Sequence, residues 1–177
     1  MSGYTLVRLS SLLSRYGEDA VAEKLSTFDP AFDSSVDRFL AEKSIAMEKK
    51  SECRTYLAFD IDSSAIMGFF SIGIRCLEVP DGCGLSNTML KKLNRSEENV
   101  VQAYLLGQLS RAKGFKGFGK TLIDEALSMI KAAQDIVGCR VVRLDCTDDL
   151  VGYYKEYGFH FVRKNPEKDL NQMVMIL

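Results

Sequence analysis

The sequence predicts an α/β chain, α+β in the layout of its parts, built around one mixed sheet. Three observations predict it. Apolar runs of strand length recur along the chain, from Thr5–Leu9 to Gln172–Leu177. Two of them, Arg54–Ile61 and Ile66–Ile74, are joined by the polar turn Asp60, Asp62, Ser63 and Ser64, which makes an antiparallel hairpin. The remainder then reads strand, loop, helix, strand, helix, strand, strand.

Each element has its own signal. Thr5–Leu9 reads as a short strand. Ser10 and Ser11 can cap a helix that carries Leu12, Leu13, Tyr16, Ala20, Val21 and Leu25 at helical spacing. Asp29-Pro30 breaks the chain. Asp33–Lys49 is a second helical stretch, with Val36, Phe39, Leu40, Ile45 and Ala46 on one side. Val79–Asn99 is rich in turn-forming and charged residues and reads as an irregular excursion, the kind that often serves function. Lys91, Lys92 and Arg95 could make it one wall of an acceptor site. Val100–Ser110 is a long strand and Arg111–Gly119 a glycine- and lysine-rich loop. Thr121–Ile136 shows the clearest apolar stripe, with Leu122, Ile123, Ala126, Leu127, Ile130 and Ala133, and Gly138 ends it. Cys139–Cys146 reads as a strand and Asp148–Tyr157 as a short helix. Phe159–Arg163 and Gln172–Leu177 flank the Asn165-Pro166 turn as two closing strands.

Composition narrows the function classes. With 177 residues, 46% hydrophobic and 27% charged, the chain suits one globular domain over 1–177. One histidine and no Cys-x-x-Cys pair leave no metal site to predict. Five cysteines, an odd number, fit reduced thiols in a cytoplasm, and residues 1–6 show no basic region followed by an apolar core, so no signal peptide is expected. The longest apolar run, Ala65–Ile74, falls short of the ~20 residues a membrane span needs. A net charge of −1 excludes a whole-surface basic field, and so does not favour tRNA as a partner.

Gly114-Phe-Lys-Gly117-Phe-Gly119-Lys120-Thr121 carries the chemistry. A strand runs into it and a helix starts inside it. The first amides of a helix lack internal partners, and the helix dipole adds positive character there. Glycines let an anion touch the backbone, and Lys116 and Lys120 add charge. This is the chemistry of a pyrophosphate cradle. Two ligands compete. The segment satisfies G-x-x-x-x-G-K-[ST], the P-loop of nucleotide hydrolases, with Lys120 on the phosphates, Thr121 on magnesium and Asp145 as the second acid. A P-loop, however, opens a parallel doubly wound sheet. Here the preceding strands read as antiparallel, and too little chain follows for the remaining units.

The second ligand is acetyl-CoA. The segment resembles the GNAT superfamily of acetyltransferases, which carries [RQ]-x-x-G-x-[GA] between a strand and a helix. Gly117 and Gly119 match its last two fixed positions, and Gly114 departs from the first. Tyr153-Tyr154-Lys-Glu-Tyr-Gly158-Phe159 matches the superfamily's later [FY]-Y-x-x-x-G-F in full. Phe32-Asp33, Phe39-Leu40, Arg54-Thr-Tyr-Leu, Gly68-Phe-Phe-Ser-Ile and Leu106-Gly-Gln-Leu-Ser110 look like its toxin-type branch, although Gln108 stands where that branch carries a basic residue. The resemblance implies a central mixed, mostly antiparallel sheet of six or seven strands flanked by helices.

It also implies a reaction: direct attack of a primary amine on acetyl-CoA in a ternary complex. Backbone amides from Lys116, Gly117, Phe118, Gly119, Lys120 and Thr121 would hold the pyrophosphate. The end of the preceding strand, Leu109, Ser110 and Arg111, would pair with the pantetheine arm. Tyr154 would protonate the departing thiolate, a role that suits a phenol neutral at pH 7. The toxin-type branch acetylates the amino group of aminoacyl-tRNA and is paired with an antitoxin. A homodimer is compatible with it. A non-catalytic CoA-binding module remains an alternative. Glu78, Asp81 and Asp145 are candidate general bases, with a water-mediated route equally open. His160 reads as a surface residue, and Cys146 as a small buried side chain more than a nucleophile.

Overall fold

The computed structural model describes residues 3–32 and 35–177. Its strands are β1 (Tyr4–Arg8), β2 (Arg54–Asp60), β3 (Ile66–Glu78), β4 (Val100–Arg111), β5 (Val141–Cys146), β6 (His160–Lys164) and β7 (Asn171–Ile176). Its helices are α1 (Leu9–Tyr16), α2 (Glu18–Ser26), α3 (Ser35–Glu42), α4 (Ser44–Lys49), α5 (Asn87–Lys92), α6 (Phe118–Val137) and α7 (Val151–Glu156). The strands form one sheet in the order β1-β2-β3-β4-β5-β7-β6. β4 and β5 run parallel, with Tyr104 opposite Val142. The β1/β2, β2/β3, β5/β7 and β6/β7 pairs are antiparallel. The sheet is therefore mixed and mostly antiparallel, as expected.

The chain divides into two compact units. The first comprises residues 1–73 and 107–129, the second 74–106 and 130–177.

In the first unit, Leu9, Val21, Leu25, Leu40, Leu57 and Phe69 are buried in one core. The two expected helical stretches are each broken in two. Gly17, at φ +81, separates α1 from α2, a backbone state glycine reaches without strain. Between α3 and α4, the buried Ser44 turns its hydroxyl back onto the Leu40 carbonyl at 2.6 Å. Such back-bonding competes with the helix ladder. The expected start of that stretch at Asp33 lies outside the described residues. Glu48 is buried, and its carboxylate accepts from Thr55 N at 2.8 Å and from Arg54 Nη1 at 3.4 Å. That pairing ties α4 to β2. Gly68 on β3 leaves no room for a Cβ, which would stand 2.7 Å from the Ser110 carbonyl and 2.6 Å from Leu122 Cδ1.

In the second unit, Leu77, Val79, Leu93, Val101, Val141 and Val174 belong to a separate core. The expected irregular excursion between β3 and β4 contains α5, whose N-terminus is capped by Ser86 Oγ accepting from Met89 N. Its ends are closed by Val79 N donating to the Asn99 carbonyl at 2.8 Å. Gly84 N donates to the Val162 carbonyl of β6 at 2.9 Å. The excursion is thus packed and bonded rather than loose. Cys139 sits at φ +67, ahead of β5, so the strand begins at Val141 and not at Cys139.

Candidate active site

The glycine turn belongs to the first unit. β4 ends at Arg111, one residue beyond the expected boundary. Two neighbours pin the chain there. Ala112 N donates to the Met67 carbonyl at 2.8 Å. The segment after α2 lies alongside, with Ala31 N donating to the Arg111 carbonyl at 3.0 Å and Lys113 N to the Asp29 carbonyl at 2.9 Å. Pro30 and Ala112 form an antiparallel bridge between these bonds. Successive tight turns follow, closed by Phe115 N on the Ala112 carbonyl and Phe118 N on the Phe115 carbonyl.

α6 then runs for 20 residues. Phe118, its first residue, is buried and meets the Tyr4 ring edge-on at 5.2 Å. Gly117 stands at φ +87, where any side chain would be strained. A Cβ at Gly114 or Gly117 would touch nothing within 4 Å, so the turn is open at both positions. The N–H groups of Lys116 and Gly117 donate to no backbone carbonyl among the described residues. Open space, undonated amides and the dipole of a long helix are the features an anion cradle needs. Between Arg111 and Lys120 the chain carries four cationic side chains and no acid. Lys113, Lys116 and Lys120 enter no ion pair among the described residues. Leu109, Ser110, Arg111 and Lys116 through Thr121 thus sit together at the end of β4 and the start of α6.

Gln108, just before this end of β4, has a buried Oε1 with no hydrogen-bond partner among the described residues. Spacing alone gives no hint of that orphaned acceptor.

Tyr154 belongs to the second unit, on α7. It is 8% exposed, with Tyr153 edge-on at 5.4 Å and Phe159 at 5.9 Å. Burial pushes its phenol well above the usual tyrosine range, with smaller contributions from Cys146 and Tyr153. No hydrogen bond holds its hydroxyl among the described residues.

Cys146 is buried at the end of β5, and its thiol donates to Met173 Sδ at 3.5 Å. Burial, then the Asp145, Asp149 and Asp148 carboxylates, push the thiol up to about 11. A thiol so held stays protonated at neutral pH and is a poor nucleophile.

The candidate bases are each engaged by a guanidinium. Asp145 accepts from Arg143 through two bonds of 3.1 Å and from Asn165 Nδ2 at 2.9 Å. Glu78 accepts from Arg163 Nη2 at 3.0 Å. Asp81 accepts from Arg95 Nη1 at 3.1 Å, and Arg95 also donates to the Val79 carbonyl. Arg95 therefore closes its own excursion, a structural duty. His160 is exposed at the start of β6. No metal-binding cluster of His, Cys, Asp and Glu occurs among the described residues. No helix there is long and apolar enough to cross a membrane.

No protein-family model matches the chain. A curated protein, "Probable toxin TacT" of Sinorhizobium fredii (strain NBRC 101917 / NGR234), is 26% identical over 137 residues, covering 70% of this chain and 71% of that one. Solved structures align over nearly the whole chain. The crystal structure of a bacterial toxin gives a TM-score of 0.76 at 16% identity, covering 99% of this chain and 92% of the other. AtaT complexed with acetyl-methionyl-tRNAfMet gives 0.72 at 18%, covering 98% and 95%. AtaTR bound with acetyl-CoA gives 0.68 at 18%, covering 98% and 92%. The glycine turn opening a long helix, the mixed sheet and these alignments lead to one conclusion: the chain has the GNAT fold and resembles the superfamily's toxin-type branch.

Proposed function

We propose that this chain is an acetyl-CoA-dependent N-acetyltransferase of the toxin kind, acting on the amino group of an aminoacyl-tRNA. One observation carries the reading: the open, glycine-lined turn at Gly117, with its undonated amides, at the start of a 20-residue helix. The likeness to AtaT structures containing acetyl-CoA and an acetyl-methionyl-tRNA supports both the donor and the acceptor.

The turn fits a diphosphate. It is open where Gly114 and Gly117 lack a Cβ, and Lys113, Lys116 and Lys120 enter no ion pair among the described residues. The Lys116 and Gly117 N–H groups hold the two phosphates at the mouth of the turn that runs to Thr121, and Lys116 and Lys120 add charge. Leu109, Ser110 and Arg111 offer backbone to the pantetheine arm. The co-substrate supplies an acetyl group already activated as a thioester. The acceptor nitrogen forms its bond to the carbonyl carbon as the C–S bond breaks. The nitrogen's surplus proton passes to water, because the candidate carboxylates Glu78, Asp81 and Asp145 are each engaged by an arginine. Tyr154 Oη, kept protonated by burial, gives its proton to the departing sulfur and is recharged from solvent. The toxin resemblance further implies an antitoxin partner, and a homodimer is compatible with it.

A thermal-shift screen against acetyl-CoA, ATP and GTP, with and without magnesium, tests the donor. Stabilisation by acetyl-CoA independent of magnesium is expected. Magnesium-dependent stabilisation by a triphosphate, with none from acetyl-CoA, would select the P-loop reading. Release of free CoA upon addition of aminoacyl-tRNA tests the acceptor. Acetyl-CoA binding without turnover on any amine would leave a binding module.

A further inference from the structure

Phe32 is among the most exposed large apolar side chains of the described residues, at 70%. It is not a loose side chain on a loose loop. The backbone just before it is bonded to the end of β4 by Ala31 N and the Asp29 carbonyl. The Arg111 guanidinium stands 5.4 Å from its ring centre. An aromatic ring backed by a guanidinium, with its remaining surface open to solvent, is a surface on which a planar π-system can stack. The segment that carries the ring holds Asp29 and Asp33, but the stretch it is bonded to is cationic, and four cations there outnumber the two acids. Arg111 and Lys113 flank the bridge to Pro30, and no acid lies between residues 111 and 120. Lys116 and Lys120 are assigned above to the diphosphate of the co-substrate. Arg111 and Lys113 remain for a second phosphate-bearing ligand.

We propose that Phe32, backed by Arg111, is a stacking platform for an unpaired nucleobase at the end of an RNA acceptor, with Lys113 meeting the adjacent phosphates. The proposal deepens the reading of the chain as an enzyme acting on aminoacyl-tRNA and rests on it. Single-stranded RNA ends are recognised in this way, by stacking on aromatic and guanidinium planes within a cationic groove. The local surplus of cations also resolves how a chain of net charge −1 can hold RNA: the field need only be basic where the strand ends.

The chain has no tryptophan, so Phe32→Trp installs a single fluorescent reporter at the platform. Titration with a short single-stranded RNA ending in CCA is expected to quench it saturably and more weakly at high salt. Acetyl-CoA is expected to leave it unchanged. Phe32→Ala is expected to weaken RNA binding roughly 5- to 150-fold, the worth of one stacked base. Its melting shift with acetyl-CoA should match that of the unmodified protein, and Phe32→Tyr should restore RNA binding. Quenching by acetyl-CoA alone would assign the ring to the co-substrate's adenine and overturn the proposal. So would RNA affinity unchanged in Phe32→Ala, or no quenching by RNA. Should the unmodified protein bind acetyl-CoA yet neither bind nor acetylate aminoacyl-tRNA, the acceptor reading falls and the platform with it. Should the Phe32→Ala variant acetylate aminoacyl-tRNA as well as the unmodified protein does, only the platform falls.

Discussion

The Tyr4 hydroxyl donates to Glu125 Oε1 at 2.5 Å, across 121 residues of sequence. The same tyrosine packs edge-on against Phe118, the first residue of α6. Two contacts from one short strand thus set the seat of the helix whose N-terminus opens the glycine turn. Tyr4→Phe keeps the ring contact and removes the bond to a carboxylate. It is expected to cost about 1–2 kcal/mol in urea unfolding at pH 7. The bond holds the Tyr4 phenol up to about 12, chiefly through Glu125. A raised phenol contributes stability that is complete below its unfolded value near 10 and is lost as pH rises towards 12. The difference between the two proteins should therefore shrink from about pH 9 to pH 12, and a difference that grows there would contradict the assignment.

Tyr154→Phe removes the proton donor without changing ring packing against Tyr153 and Phe159. Turnover is expected to drop roughly 10²-fold or more, the lower range for a lost general acid. Acetyl-CoA affinity, read by thermal shift, should hold. An undiminished kcat would remove Tyr154 from the mechanism.

Gly117→Asp puts both a strained side chain and a negative charge into the turn. The φ of +87 costs an L-residue about 1–2 kcal/mol. The carboxylate opposes the diphosphate. Isothermal titration should show acetyl-CoA affinity reduced by more than about tenfold. Gly114→Ala, where a Cβ meets nothing, is the control and should bind as before.

Gly68→Ala tests packing rather than chemistry. Its Cβ would stand 2.7 Å from a backbone carbonyl, Ser110 O, which cannot swing aside as a side-chain tip can. A loss of roughly 1–3 kcal/mol is expected from denaturant midpoints. A neutral result would mean that β3 yields more readily than its neighbours suggest.

Cys146→Ala separates a nucleophile from a packed thiol. The residue is buried, and its thiol is held near 11. Steady-state turnover should stay within about twofold, with a modest stability loss from the small cavity. Complete loss of turnover in a folded variant would restore a covalent route.

The hairpin of β2 and β3, the stripe of α6 and the closing strands are all legible in the sequence, because each rests on local periodicity. The two helix breaks are not. Gly17 can be read as a breaker, but the break at Lys43, next to which the buried Ser44 hydroxyl bonds the Leu40 carbonyl, carries no such mark. Boundaries shift for similar reasons: β3 runs on to Glu78, past the expected Ile74, through residues that no local pattern marks as strand.

At the site, local sequence is enough to specify the glycine turn and the tyrosine motif, because the residues of each lie close together along the chain. Spacing there is geometry. Folding alone settles that Glu78 and Asp81 are each held by an arginine, that Cys146 lies sealed against Met173, and that Phe32 meets Arg111. These pairs bring together residues from different strands and loops. Their energies come from burial and charge proximity, which depend on the folded path of the chain and leave no trace in local spacing.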